Sequence, residues 1–256
     1  MNSLDELVTV ARQLHPNRLG VLIDLAKALQ RKIDVKINPN SDLMTPAFVE
    51  DFSARLIAYH ALHEQKLTKK TFEFVFCGAC RAAGSNAVIT SSPVNPGVDV
   101  TVDGIRYSLK TEGAAGMTKS SITISKLMEA RWIRECESPG DFAREASRRI
   151  SEHLQHYQRI ITLRAFEYDS VIEYDLIEIP LSILKYVEKL EARNFTQRTR
   201  NGGSSARIVL EGKQLFTLRL DGSVEKVTVS NLRMDVCRIH GSWRIERVAK
   251  QNDNDD

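Results

Sequence analysis

Asp99 and Lys110 lie on either side of Asp103-Gly104, inside the segment PGVDVTVDGIRYSLKTE of residues 96–112. A carboxylate and an ammonium on one surface are parts that metal-assisted attack on a phosphodiester requires. Carboxylate oxygens bind a hard divalent cation, and a nearby ammonium positions the attacking water or stabilises developing charge. An acid followed at this distance by a lysine is common in proteins. The pair therefore points to this chemistry only if the fold brings the two together.

The local sequence predicts how that happens. Asp-Gly between two alternating, β-branched runs is a strong signal for a two-residue hairpin. The turn sets the register: Val102 opposite Ile105, Thr101 opposite Arg106, Asp99 opposite Ser108. Regular alternation then puts Asp99, Thr101 and Asp103 on one face with Arg106, Ser108, Lys110 and Glu112. Val98, Val100 and Val102 share the other with Ile105, Tyr107 and Leu109. A half-exposed hairpin with a polar outer face gives the same pattern without any chemistry.

The elements that must hold this hairpin are legible to different degrees. The first 84 residues read as helical: Ser3 and Glu6 make a capping-box pattern, and RLGVLIDLAKALQRKI is apolar at helical spacing. Thr45-Pro46 starts a third helix, and Thr68 caps a fourth that Gly84 ends. From residue 87 the period shortens. AVITSS, VDVTV, IRYSLKT and SSITISK read as strands, LMEARWIREC as a helix, and EASRRISEHLQHYQRI as another. ITLRAFEY and VIEYDLIEI are strand-like, Pro180 opens a helix through LSILKYVEKLEAR, and TQRTRNGGSS is a basic loop. ARIVLEG, KQLFTLRL and CRIHGSWRIERV complete the strands. The expected class is α/β (α+β), a central mixed β-sheet flanked by helices. Residues 1–66 form a helical N-terminal region packed on the core, 67–250 the core itself, and 251–256 an acidic tail.

Composition excludes several classes. Hydrophobic content of 42% and charged content of 27% fit an ordinary globular protein, not a fibrous or disordered one. No apolar run approaches a membrane span, and the acid-containing N-terminus lacks a signal-peptide core, so a cytoplasmic protein is expected. Four cysteines do not make a disulfide framework in 256 residues. Cys77-Gly-Ala-Cys80 has no second close Cys/His pair at finger spacing and reads as part of a helix core. The net charge of +3 rises once the tail QNDNDD is set aside, which permits a nucleic-acid partner without requiring one.

Asn95-Pro96-Gly97-Val98-Asp99 followed by Ser108-Leu109-Lys110 resembles the Pro-Asp…(Asp/Glu)-x-Lys nuclease superfamily. NPGVDVTVDGIRYSLKTE, TKSSITISKLMEARW, RIITLRAF, LIEIPLSIL and IHGSW, with RLIAYHALHEQKLTKKTFEFVF upstream, are similar in order to the SmaI-like type II restriction endonucleases. The resemblance spans roughly residues 50–243 and implies a restriction-endonuclease-like core with a helical N-terminal part. It implies that Asp99 binds Mg²⁺, that Lys110 is the motif lysine, and that the carbonyl of Leu109 is a further ligand. Glu73, the sole charged residue between Thr71 and Ala79, is the candidate glutamate from the preceding helix; a helix surface charge is the plainer reading. Ser108 departs from the motif, which expects an acid there. Glu112, or Glu129 on the following helix, is the candidate to replace it.

Lys119, Lys126 and Arg131 follow the hairpin, and Arg198 and Arg200 lie in the basic loop. These are the candidate contacts to double-stranded DNA, while Arg148 and Arg149 alternate with acids as a solvated helix face does. The resemblance further implies Mg²⁺-dependent double-strand cuts in the GC-only palindrome CCCGGG, with blunt ends. A palindrome cut on both strands implies a homodimer. Two other readings stay open: a repair nuclease of the same superfamily, and a sequence-specific DNA-binding protein whose site, weakened at Ser108, no longer cuts.

Overall fold

The computed structural model describes residues 3–90 and 97–246. Asn95-Pro96, the ends of the first and last predicted strands and the acidic tail lie outside the described residues. The helices are α1 (Ser3–Ala11), α2 (Pro16–Leu29), α3 (Pro46–Leu62), α4 (Lys69–Ala82), α5 (Pro139–Leu154) and the single turn α6 (Leu181–Leu184). The strands are β1 (Asp34–Ile37), β2 (Ala87–Ile89), β3 (Val100–Val102), β4 (Ile105–Glu112), β5 (Ser121–Glu129), β6 (Arg159–Glu167), β7 (Val171–Ile179), β8 (Ser204–Leu210), β9 (Lys213–Asp221), β10 (Lys226–Arg233) and β11 (Arg238–Glu246).

Seven strands make a mixed sheet in the order β1-β11-β7-β6-β4-β3-β2, and β5-β10-β9-β8 make a second, smaller sheet. β4 and β6 run parallel, joined by a crossover through β5 and α5, whereas β6 and β7 are antiparallel. α3 and α4 cover one face. Phe48, Phe52, Phe72 and Phe76 pack there on Leu109, Ile161, Leu163, Tyr174 and Trp243. The other face carries α5 and the second sheet, with Phe142, Ile150, Leu218 and Val229 against Ile160 and Ile177. Each such fully buried side chain stabilises by about 2 kcal/mol, so the central strands are fixed from both sides.

Capping chemistry sets the helix starts. Thr45 and Thr68 each accept a backbone N–H with the side-chain oxygen, from Phe48 and Thr71, and Pro46 occupies the first turn of α3. Gly84, at φ +89°, follows α4 as expected. Ser138 and Asp141 close a capping box at the start of α5.

Several sequence expectations give way. The front is not wholly helical: Asp34–Ile37 is a strand paired with β11. The helix expected over LMEARWIREC is instead the end of β5 and one 3-10 turn, Arg131–Glu135, because residues 122–129 find pairing partners in β10. Glu129 thus ends a strand rather than riding a helix. The helix expected after Pro180 stops after one turn and continues as 3-10 turns at Lys185–Lys189 and Ala192–Asn194. KVTVSNLR, not singled out in the sequence, is β10, the middle of the second sheet. The hairpin is also not polar on an exposed face. Ser108 and Glu112 are buried, because α5 and β5 cover the side on which alternation had placed water.

Glu112 and Arg164 form an ion pair inside the molecule, Nε to Oε2 at 2.5 Å, and Thr123 donates its N–H to the other carboxylate oxygen at 2.8 Å. The Arg164 guanidinium also donates to the carbonyls of Thr118 and Ser121, tying the start of β5 to the main sheet. Removing one partner strands a buried charge. Glu112→Ala is expected to cost about 3–5 kcal/mol of unfolding free energy in denaturant titrations, and Glu112→Gln clearly less.

His153 of α5 is buried and donates Nε2–H to the carbonyl of Leu127 at 3.1 Å. Burial, aided by the charge of Lys110, pushes its pKa down from the ordinary 6.5 to about 4. The folded state keeps His153 neutral where the unfolded chain takes up a proton. Stability is therefore unaffected above pH 6.5 and falls as pH drops toward 4, by about 3 kcal/mol in the limit. His153→Gln is expected to flatten that part of the profile in melts between pH 7.5 and 4.5.

Candidate active site

The hairpin forms with the expected register at its turn: Val102 opposite Ile105, Thr101 opposite Arg106, and Val100 opposite Tyr107. One residue further the ladder breaks. The N–H of Asp99 donates to the carbonyl of Tyr107 at 2.8 Å, and the Asp99 carboxylate takes the next donor, accepting the N–H of Leu109 at 2.7 Å. Side-chain oxygen thus stands where a partner backbone would. The faces change here as well: Val98 packs with Ile122 and Tyr157, on the side of the sheet opposite Val100 and Val102. The alternation expected through Val98, Val100 and Val102 fails at this irregularity. Gly97 permits it with a φ of +93°, and a Cβ there would lie 2.7 Å from Cε1 of His153, so α5 closes against bare backbone.

In a strand, one residue's N–H and C=O face the same edge. Because the N–H of Leu109 faces Asp99, its carbonyl opens on the same gap, where β3 has parted from β4. Lys110 is the next residue and is half-buried. Burial, with the charge of Lys69 adding to the effect and that of Asp99 opposing it, pushes its ammonium down to about 8. Ser108 is fully buried, and its hydroxyl has no hydrogen-bond partner among the described residues.

Glu73 does not face solvent. It is buried on α4, and Lys69, one helical turn earlier, reaches both it and the hairpin: its Nζ lies 2.7 Å from Oδ1 of Asp99 and 3.7 Å from Oε1 of Glu73. The structure therefore brings Asp99, Glu73, Lys110 and the Leu109 backbone to one place. Glu112, two residues beyond Lys110, has both oxygens engaged by Arg164 and Thr123, and neither it nor Glu73 lines the cleft above the hairpin.

A cleft of about 780 Å³ opens over this place. Lys69, Asp99, Lys110 and Thr111 form its floor, residues 124–129 of β5 one wall, and Arg149, Glu152 and His153 of α5, with His156 just beyond its end, the other. Of the predicted DNA contacts, Lys126 lines the cleft, exposed and paired with Glu129 at 2.8 Å. Lys119 is committed internally, held by Glu173 and Asp175 with its ammonium 3.7 Å from the ring centre of Phe166. Arg131 pairs with Glu225 and Arg198 with Glu137, both at the surface, and Arg200 is exposed in the turn that follows. Sequence reasoning missed Lys69 and the α5 wall. The four-residue spacing of Lys69 and Glu73 was the available signal for the first, whereas Arg149 read as part of a solvated helix face.

A second group of potential metal ligands, Asp42, Glu178 and His240, lies elsewhere. The Arg159 guanidinium already joins Asp42 at 2.6 Å and Glu178 at 2.5 Å, and His240 donates to or accepts from Ser41. A rigid guanidinium bonded to both acids thus occupies the space between them. Cys77 and Cys80 are buried in α4, where burial pushes the Cys80 thiol up to about 12, so Cys80 is not a poised thiolate.

No helix among the described residues is long and apolar enough to cross a membrane. A solved restriction endonuclease in complex with substrate DNA aligns with 92% of this chain and 88% of its own, at 11% identity and a TM-score of 0.36. The type II restriction enzyme SmaI of Serratia marcescens is 31% identical over 250 residues, 95% of this chain and 97% of that protein. The family profile of the SmaI type II site-specific deoxyribonucleases matches residues 13–245. With the match running through the hairpin, α4, α5 and both sheets, the chain belongs to the SmaI family and is a type II restriction endonuclease.

Proposed function

We propose that this enzyme makes Mg²⁺-dependent double-strand cuts in a short GC-rich palindrome in the cytoplasm, CCCGGG with blunt ends by likeness to SmaI. The observation that carries the metal reading is the Lys69 ammonium held between the carboxylates of Asp99 and Glu73. A position that already gathers two buried acids around one cation has the donor chemistry a hard divalent ion takes. Asp99, Glu73 and the Leu109 carbonyl would hold Mg²⁺, which supplies Lewis-acid stabilisation of the phosphate and a more acidic water.

The chain's own residues do the rest. The Leu109 N–H fixes one Asp99 oxygen and leaves the other turned to the cleft. Lys110, with a pKa of about 8, holds the attacking water or gives up a proton near neutral pH. Water adds at phosphorus, the P–O3′ bond breaks, and a proton passes to the departing oxygen. Lys126 on the cleft wall, and Arg131, Arg198 and Arg200 on the surface, are the positive charges that support backbone contacts.

Cutting both strands of a palindrome calls for a two-fold homodimer, each copy cutting one strand. Leu7, Val8 and Val10 on α1 and Val21 on α2 are exposed apolar side chains of the N-terminal region that suit such an interface. The motif hydroxyl at Ser108 does not favour a non-cutting DNA binder, since Glu73 supplies a second acid from α4.

Mapping cut ends on plasmid DNA tests the reading. Discrete blunt cuts with Mg²⁺ and none with chelator are expected, and lesion-dependent nicks would point to repair instead. Asp99→Asn and Lys110→Ala are each expected to lower the cleavage rate by about 100-fold or more with folding intact. Wild-type rates in either variant would remove the site from its proposed role.

A further inference from the structure

The lysine that bridges the two acids has no place in the hydrolytic scheme above. Thr68 caps α4 and fixes Lys69 in its first turn, and the four-residue spacing puts Glu73 beneath it on the same face. From there the side chain crosses to the hairpin and reaches Asp99 at 2.7 Å. Asp99 and Glu73 keep only 12% and 10% of their side-chain surface exposed, and Lys69 pairs with both of these largely dry carboxylates. Lys69 itself retains 43% exposure, and its flexible stem gives the ammonium a path back to water. Lys70 carries the same charge and lies 3.3 Å from the other Glu73 oxygen, but it is 69% exposed and, among the described residues, does not pair with Asp99.

We infer that Lys69 is the resident cation of this site: its ammonium bridges Asp99 and Glu73 until a divalent ion displaces it. This rests on the proposed metal site and adds a positioning residue to it. The bridge holds the acids in place before loading and sets a threshold for it, since each binding event must first break two ion pairs. Once displaced, Lys69 stands free at the floor of the cleft. Metal loading thereby delivers one more positive charge to the path of a substrate phosphate.

The test is calorimetric titration of Ca²⁺ into the full-length enzyme without DNA, for the wild type and for Lys69→Met, Lys69→Gln, Lys70→Met and Asp99→Asn. Both Lys69 variants are expected to bind about tenfold more tightly than the wild type. Lys70→Met is expected to gain less than about threefold, because an exposed charge on one acid competes weakly. In low salt the Lys69 variants should melt below the wild type, and saturating Ca²⁺ should close that gap. If the wild type binds Ca²⁺ and Asp99→Asn does not, while Lys69 variants bind no more tightly, the resident-cation inference fails and the metal site stands. Equal gains at Lys69 and Lys70 would also overturn it, as a general field effect. If the wild type takes up no Ca²⁺, the metal site fails and this inference with it.

Discussion

Leu109 has a backbone N–H that must be satisfied inside the sheet, and Asp99 satisfies it with a side-chain oxygen instead of a carbonyl. That substitution ends the β3–β4 ladder. A regular hairpin would continue pairing and close the edge, leaving no room for a substrate. Here the ladder stops at Val100 and Tyr107, one carboxylate oxygen is pinned, and the other is left to cations in the gap. The backbone break at Gly97 and the approach of His153 follow from the same event, because the strand must change faces as it leaves the sheet. Asp99 is thus held by a main-chain N–H that must be satisfied.

Electrostatics then divides the buried carboxylates into two sets. Glu112 meets Arg164, a fully buried guanidinium with further carbonyl partners, and becomes part of the scaffold that ties β5 to the sheet. Asp99 and Glu73 meet Lys69, a point charge with access to water. Arg forms a rigid, multiply bonded pair that resists exchange, whereas a single ammonium on a flexible stem can leave. Type of cation, more than type of acid, separates a carboxylate fixed in the scaffold from one paired with a half-exposed ammonium. The Asp42–Glu178–Arg159 network obeys the same logic at the sheet's other end, where a guanidinium again fills the space between acids.

The two sheets serve different ends. The main sheet is apolar on both faces and fixes Asp99 and Lys110 against α4 and α5. The second sheet meets it through β5, whose residues 124–129 form a wall of the cleft, so the lining around Asp99 and Lys110 belongs to both layers. α5 supplies the opposite wall while its buried face packs in the core, so Arg149 and Glu152 line the cleft across from β5.

Local chemistry in the sequence was enough for the Asp103-Gly104 turn, the register of its first pairs, the threonine caps of α3 and α4, and the hairpin membership of Asp99 and Lys110. Each depends on neighbours a few residues away. The ordered similarity along the chain was enough for the family. What depended on distant partners was not legible. β10 and the end of β5 are strands because they pair with each other across about a hundred residues, and Glu112 is a scaffold residue because Arg164 lies on the next strand. Glu73 was visible as a charge in an apolar run, but its neighbour Lys69 and their shared contact with Asp99 required α4 to dock on the hairpin. Sequence spacing determined which residues could share a face; only packing decided which of them met, and what charge stood between them.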